Sequence, residues 1–172
     1  MKIKGYNIYK ILVSAIILLL LYFAIINIYN LYNIKNPLKE KIEEINGVEN
    51  VKIEETDKNL TIRADLEADN NLYNVYNETH NITKNIIEDK NIKINFDYLS
   101  SERIDKIYYD VHHYLFEGIE NKNYSEMKTE IDNYMKKRNI NYYLWFDQQR
   151  LYLQINHDNK SLYKIFELKE VK

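Results

Sequence analysis

Apolar and polar residues alternate along most of this chain, but one stretch does not alternate at all. Residues 11–29, ILVSAIILLLLYFAIINIY, carry no charge, no Gly and no Pro, and only Ser14 and Asn27 are clearly polar. As an α-helix these 19 residues rise about 28 Å, close to the thickness of a bilayer's hydrocarbon core. The remaining chain is too small and too polar to enclose such a helix on every side, so 11–29 is expected to cross a membrane.

Beyond it the periods change. After a short tether at 30–36, Leu38, Ile42 and Ile45 recur at helical spacing. Asn36-Pro37 reads as a cap followed by a first-turn proline, and Asn46-Gly47 as the stop. Val51 and Ile53 alternate with Lys52 and Glu54, and Leu60, Ile62, Ala64 and Leu66 alternate with Thr61, Arg63 and Asp65. That pattern predicts a β-hairpin with one buried face. Asp69 or Asn70 can cap a second helix carrying Leu72, Val75, Ile82 and Ile86. Ile92, Ile94, Phe96 and Tyr98 then mark a third strand, so 37–99 reads as an α-β-β-α-β module.

In 100–172, Ser100 or Ser101 can cap a helix striped by Ile104, Ile107, Tyr108, Val111, Leu115 and Ile119. Asn123 can cap another, with Met127, Ile131, Tyr134 and Met135 on one face. It closes on Lys136-Lys137-Arg138, where the helix dipole favours cations. Strands are expected at about 140–146 and 151–156, joined by 147–150. The tail from Ser161 fits strand or helix by pattern alone. A shift of 89 residues lays Leu38, Ile42 and Ile45 on Met127, Ile131 and Tyr134, and Ile62, Ala64 and Leu66 on Leu151, Leu153 and Ile155. It also lays Asp69-Asn70 on Asp158-Asn159. An internal duplication of this kind would make the tail from Leu162 a short helix.

The stretch LKEKIEEINGVENVKIEETDKNLTIRADL, followed by a helix and INFDYL, is similar in layout to BON-type domains. It also resembles the ring-building modules of secretion and sporulation complexes and the folded domain of certain sporulation lipoproteins. The helix, Gly47-Val48, Val51 and the second alternating strand carry the resemblance, which covers 38–98. It implies an extracytoplasmic interaction or assembly module and transfers no catalytic residue. The expected fold class is α+β: one N-terminal transmembrane helix, then two α-β-β(-α) units in a ferredoxin-like or BON-like layout. About five strands and four to five helices are expected, with 100–172 packed on 37–99.

Charge sets an orientation. Lys2, Lys4 and Lys10 precede the apolar run, and no small-x-small cleavage site follows it, so 11–29 reads as an uncleaved signal anchor. Lys35, Lys39 and Lys41 lie on the other side, but Lys10 abuts the membrane and the amino terminus adds a charge. The balance places 1–10 in the cytoplasm and the domain outside it. Net charge is −2 without a basic footprint, so no nucleic-acid partner is expected. Cysteine is absent, which excludes disulfides, thiolate metal sites and a lipoprotein anchor. The 17 tyrosines and the many Asn, Ile and Lys residues fit an AT-rich bacterial genome, so frequency alone, sequons included, carries no argument.

Two clusters remain. Asp110, His113 and Glu117 share one face of the 102–119 helix and could meet a metal. A solvated face with ordinary charge pairs is favoured instead, because one helix offers few ligands. No cofactor or metal is expected, and no nucleophile stands beside His80 or His157. In the 140–156 hairpin, Tyr142, Leu144 and Phe146 should face Ile155, Leu153 and Leu151 in the core. The opposite face then pairs Trp145 with Tyr152 and Tyr143 with Gln154. Tyr143, Trp145 and Tyr152 are therefore the candidate interaction surface, able to dock a protein or stack on a sugar. The favoured alternative is that the 102–119 or 124–138 helix covers them.

These features together point to a non-enzymatic assembly or interaction module of the bacterial cell envelope, held in the membrane by a single span. Its partners would be the lipid bilayer, through 11–29, and another protein or a second copy of itself. The alternative is an extracytoplasmic ligand-binding or sensing module using the aromatic hairpin face. An exported hydrolase ranks last, since the carboxylates scatter over solvated faces.

Overall fold

The computed structural model describes residues 2–3, 6–68, 70–87, 89–97, 101–158 and 160–168. Lys4, Asp69, Tyr98, Ser100 and Asn159, each given a part above, lie outside the described residues. The fold is α+β: the described residues form one apolar N-terminal helix, four further helices, and six strands in two three-stranded sheets. A two-residue pairing of Lys2–Ile3 with Tyr6–Asn7 precedes them.

Helix α1 (Ile8–Asn30) passes without a break through a π-helical segment (Leu31–Lys35) into α2 (Asn36–Glu43). The run Tyr9–Glu43 is long and apolar enough to cross a membrane. Ser14 donates its hydroxyl to the Ile11 carbonyl at 2.8 Å, so this polar group is satisfied within the helix. The expected tether at 30–36 is helical. Lys35 already has helical backbone angles, so Asn36 is the first residue of α2 and caps nothing. Pro37 lacks the N–H that would bond back one turn, and the wider π turn just before it accommodates that break. Leu38 and Ile42 are fully buried, so α2 continues the apolar helix directly into the core. Gly47, at φ +77°, supplies the expected stop.

Sheet 1 pairs β1 (Val48–Glu55) antiparallel with β2 (Asn59–Leu66), and β2 parallel with β3 (Asn91–Asp97). A bulge at Asn50, φ +52°, turns both Val48 and Val51 inward. Helix α3 (Leu72–Ile86) is the crossover between β2 and β3. Asn71 caps it, accepting from Asn74 N–H at 3.0 Å, one residue beyond the expected Asn70. β2 and β3 are direct neighbours, so this βαβ unit is not the split form of ferredoxin-like domains. Helices α2 and α3 cover one face; Lys52, Glu54, Arg63 and Asp65 leave the other to solvent.

Helices α4 (Glu102–Glu120) and α5 (Tyr124–Lys137) follow, capped by Ser101 and Asn123. Gly118 lets them approach closely, since a Cβ there would collide with Met127. Sheet 2 is the antiparallel meander β4 (Asn141–Phe146), β5 (Arg150–His157) and β6 (Lys160–Glu167). The helix expected from Leu162 is therefore a sixth strand. Asp158, matched above to a helix cap, sits at φ +51° in a tight turn where His157 pairs with Lys160. The α-β-β succession thus occurs twice, as α2-β1-β2 and α5-β4-β5, and the following elements differ.

Sheet 2 belongs to two cores. Leu151, Leu153, Ile155 and Leu162 pack with Ile104, Val111 and Leu115 of α4 and Met127, Ile131 and Met135 of α5. Tyr152 and Tyr163, on the opposite face, join the core built by α2, α3 and sheet 1.

Candidate functional site

The hairpin β4–β5 has the expected register, with Trp145 opposite Tyr152 and Tyr143 opposite Gln154. Asp147 closes its turn: one carboxylate oxygen accepts the N–H groups of Gln149 and Arg150, both at 2.7 Å. Its other oxygen accepts the Tyr152 hydroxyl at 2.7 Å. Burial pushes the Asp147 pKa up, but these donors and the Arg150 charge outweigh it and hold the carboxyl below the usual Asp range. With its oxygens engaged by three donors, Asp147 is built to hold a turn rather than to accept a substrate proton.

The three candidate aromatics share one sheet face but not one environment. Tyr152 is 0% exposed, with the Tyr73 and Tyr76 rings of α3 edge-on at 5.2 and 5.3 Å. Burial and the neighbouring Asp147 push its phenol pKa up. Trp145 is half-buried against the same core. Tyr143 is 50% exposed and stacks on Trp145 with centroids 5.1 Å apart. The sequence places all three rings on one face but not what covers it. Helix α3 lies over Tyr152, while α4 and α5, the helices expected there, cover the opposite aliphatic face. What remains open is Tyr143 with the rim of Trp145, on edge strand β4.

Sequence reasoning passed over Gln154, which is 1% exposed at the centre of this seam. Its carbonyl accepts Leu72 N–H at 3.2 Å, meeting one of the orphan donors at the start of α3. Its amide donates to the Ala68 carbonyl at 3.2 Å and to Asn156 at 3.1 Å. Ser161 donates to the same Ala68 carbonyl at 3.2 Å, and Tyr163 donates to the Glu67 carbonyl at 2.9 Å. The signal was present as a lone Gln within LYLQI, a polar residue where both neighbours are core. Arg150 was also missed: its guanidinium lies 5.2 Å over the Tyr76 ring, and its Nε is 3.5 Å from Glu167.

The possible metal face does not converge. Asp110 accepts the Tyr134 hydroxyl at 2.5 Å, and the His113 ring lies 3.8 Å from that of Tyr114. Among the described residues no group of three or more His, Asp or Glu side chains could hold a metal ion. His80 stacks on Tyr76 at 6.1 Å; burial, then Arg150 and Lys84, lower its pKa. No family model matches the chain, and no curated protein or solved structure matches it.

Proposed function

We propose that this chain is a membrane-anchored, extracytoplasmic, non-enzymatic module for assembly or protein interaction in the bacterial cell envelope. One observation carries the reading: the apolar helix runs through 31–35 into α2, whose Leu38 and Ile42 are fully buried in the domain core. A helix built this way fixes the domain's height and direction on a bilayer, which suits an assembly part better than a freely diffusing catalyst. Lys35 reinforces the joint with Glu55 at 3.6 Å, and Lys90 holds the same carboxylate at 2.5 Å. On this proposal 38–98 is a BON-like unit, and the repeated α-β-β succession is a duplication. The unsplit βαβ unit is where it departs from a ferredoxin-like layout.

The test uses the absence of native cysteine. A Lys122→Cys variant of the full chain, in intact cells, should react with a membrane-impermeant maleimide without lysis. Labelling only after lysis would contradict the orientation. Cross-linking from native membranes should yield a discrete protein adduct or a dimer of the chain; a monomer alone would contradict the interaction reading.

The second reading, a ligand-binding module, is favoured by the half-exposed Tyr143 stacked on Trp145. Acrylamide should quench part of the Trp145 emission, and complete shielding would leave no platform.

A further inference from the structure

The inner face of sheet 2 is not covered to its edge. Where the seam ends, an open, polar basin of about 610 Å³ lies beside Tyr143. Four parts of the fold meet there: Ala68, the start of α4 at Arg103, the α5–β4 loop at Arg138, and the β5–β6 turn with Lys160. Three of its lining residues are thus permanent cations on a chain whose net charge is −2. Among the described lining residues Asp158 is the one acid, and its carboxylate already lies 2.9 Å from Nδ1 of His157. The Arg138 guanidinium lies over the Tyr134 ring at 3.8 Å, and its Nη1 donates to the Tyr134 carbonyl at 3.5 Å, which fixes the side chain at the rim.

The other lining groups are amides and one ring. Asn141 and Asn156 face each other across β4 and β5, and Tyr143 follows Asn141 on the same face of β4. An apolar ligand would find almost no partner here. A bare anion would use the cations and leave the amides and the ring idle. A ligand with an anionic group, several hydroxyls and a flat C–H face would use all of them: arginine forks for the anion, amides for hydroxyls, tyrosine for stacking.

We infer that this basin binds an anionic saccharide, its carboxylate or phosphate held by Arg103 and Arg138 and one sugar ring stacked on Tyr143. The inference rests on the second reading above and names its ligand class. Trp145, the only tryptophan in the chain, lies 5.1 Å from Tyr143 and serves as a built-in reporter.

The experiment titrates the full chain, in nanodiscs of neutral lipid, with trigalacturonate and with glucose 6-phosphate, reading Trp145 emission. Neutral maltotriose and inorganic phosphate serve as comparison probes. A saturable response to one or both anionic saccharides is expected, with affinity falling as salt rises. The pair Arg103→Gln and Arg138→Gln, at exposed positions, should weaken it about tenfold or more while the chain remains folded in a cooperative unfolding transition. Tyr143→Ala should weaken binding measured by calorimetry as well as removing the optical response. Equal affinity for inorganic phosphate would reduce the basin to an anion site and overturn the saccharide assignment. Equal affinity for maltotriose, or an unaltered response in the double variant, would overturn the role of the arginines while leaving the second reading standing. No response to any probe, with Trp145 shielded from acrylamide, would sink both.

Discussion

Sheets 1 and 2 have three strands each, yet they use alternation differently. In β2, Leu60, Ile62, Ala64 and Leu66 are buried while Arg63 and Asp65 are exposed, so alternation separates core from water. In β5, residues 151–155 are all buried, and alternation separates one core from another. Leu151, Leu153 and Ile155 enter an aliphatic core under α4 and α5; Tyr152 and Gln154 enter an aromatic and hydrogen-bonded seam against α3. A polar or amphipathic residue in a strand is therefore no sign of solvent. When the neighbouring layer offers backbone donors and acceptors, it marks a second buried face.

Neighbouring substitutions give the largest expected contrast. Leu153→Ala should destabilise the full chain in detergent by about 2–5 kcal/mol, and Tyr152→Ala by about 3–5 kcal/mol. In β2, Ile62→Ala should cost about 2–5 kcal/mol, but Arg63→Ala should stay within about 0.5 kcal/mol. Denaturant unfolding measures all four. A near-neutral Tyr152→Ala would make sheet 2 one-sided and break the comparison.

Gln154→Ala comes next, at about 1–3 kcal/mol, because it leaves the buried Leu72 N–H unpaired, while the Ala68 carbonyl keeps Ser161 as a donor. Hydrogen exchange at Leu72 should accelerate more than exchange in β1. Uniform acceleration would mean that Gln154 contributes to packing rather than to the seam.

The smallest effect is acid sensitivity, to which His80 and Asp147 contribute at the seam and Asp132, held by Tyr142 and Lys128, contributes on α5. The folded pKa of His80 lies below its ordinary value of about 6.5. Its contribution is therefore complete above that value and is lost as pH falls through the folded pKa. Asp147 behaves alike below its ordinary value of about 3.9. Stability should decline in two steps as pH falls, the first removed by His80→Gln and the second reduced by Asp147→Asn, with Asp132 supplying part of what remains. Pulse proteolysis across pH reads both, and a decline unchanged in both variants would place the sensitivity elsewhere.

Much of this was legible in the chain. The apolar stretch 11–29, the central stripes of α4 and α5, and the residue-by-residue pairing of β4 with β5 follow from period and turn chemistry. In α3 only Leu72 and Val75 of the expected stripe are buried, Ile82 and Ile86 being half-buried and Thr79 and Thr83 lying in the core. Three features were not, each for a physical reason. The run LYKIF in β6 is apolar on both faces, so period alone could not separate strand from helix. Asn36-Pro37 has the form of a helix start, but proline in a first turn is also compatible with a helix already under way. The environment of Tyr152 depends on α3, which lies in another part of the chain and is placed by tertiary packing alone. The cations of the basin come from three separated positions, 103, 138 and 160, and no local spacing brings them together.

Native-state hydrogen exchange on the full chain in nanodiscs tests the two-core account most directly. A strand buried on both faces can exchange only by global opening, whereas an edge strand of a one-sided sheet opens locally. The account predicts that the hydrogen-bonded amides of 151–155 are the slowest in the chain, with opening free energies equal to global stability, and that those of β1 exchange well before them. Exchange in 151–155 as fast as in β1 would contradict it.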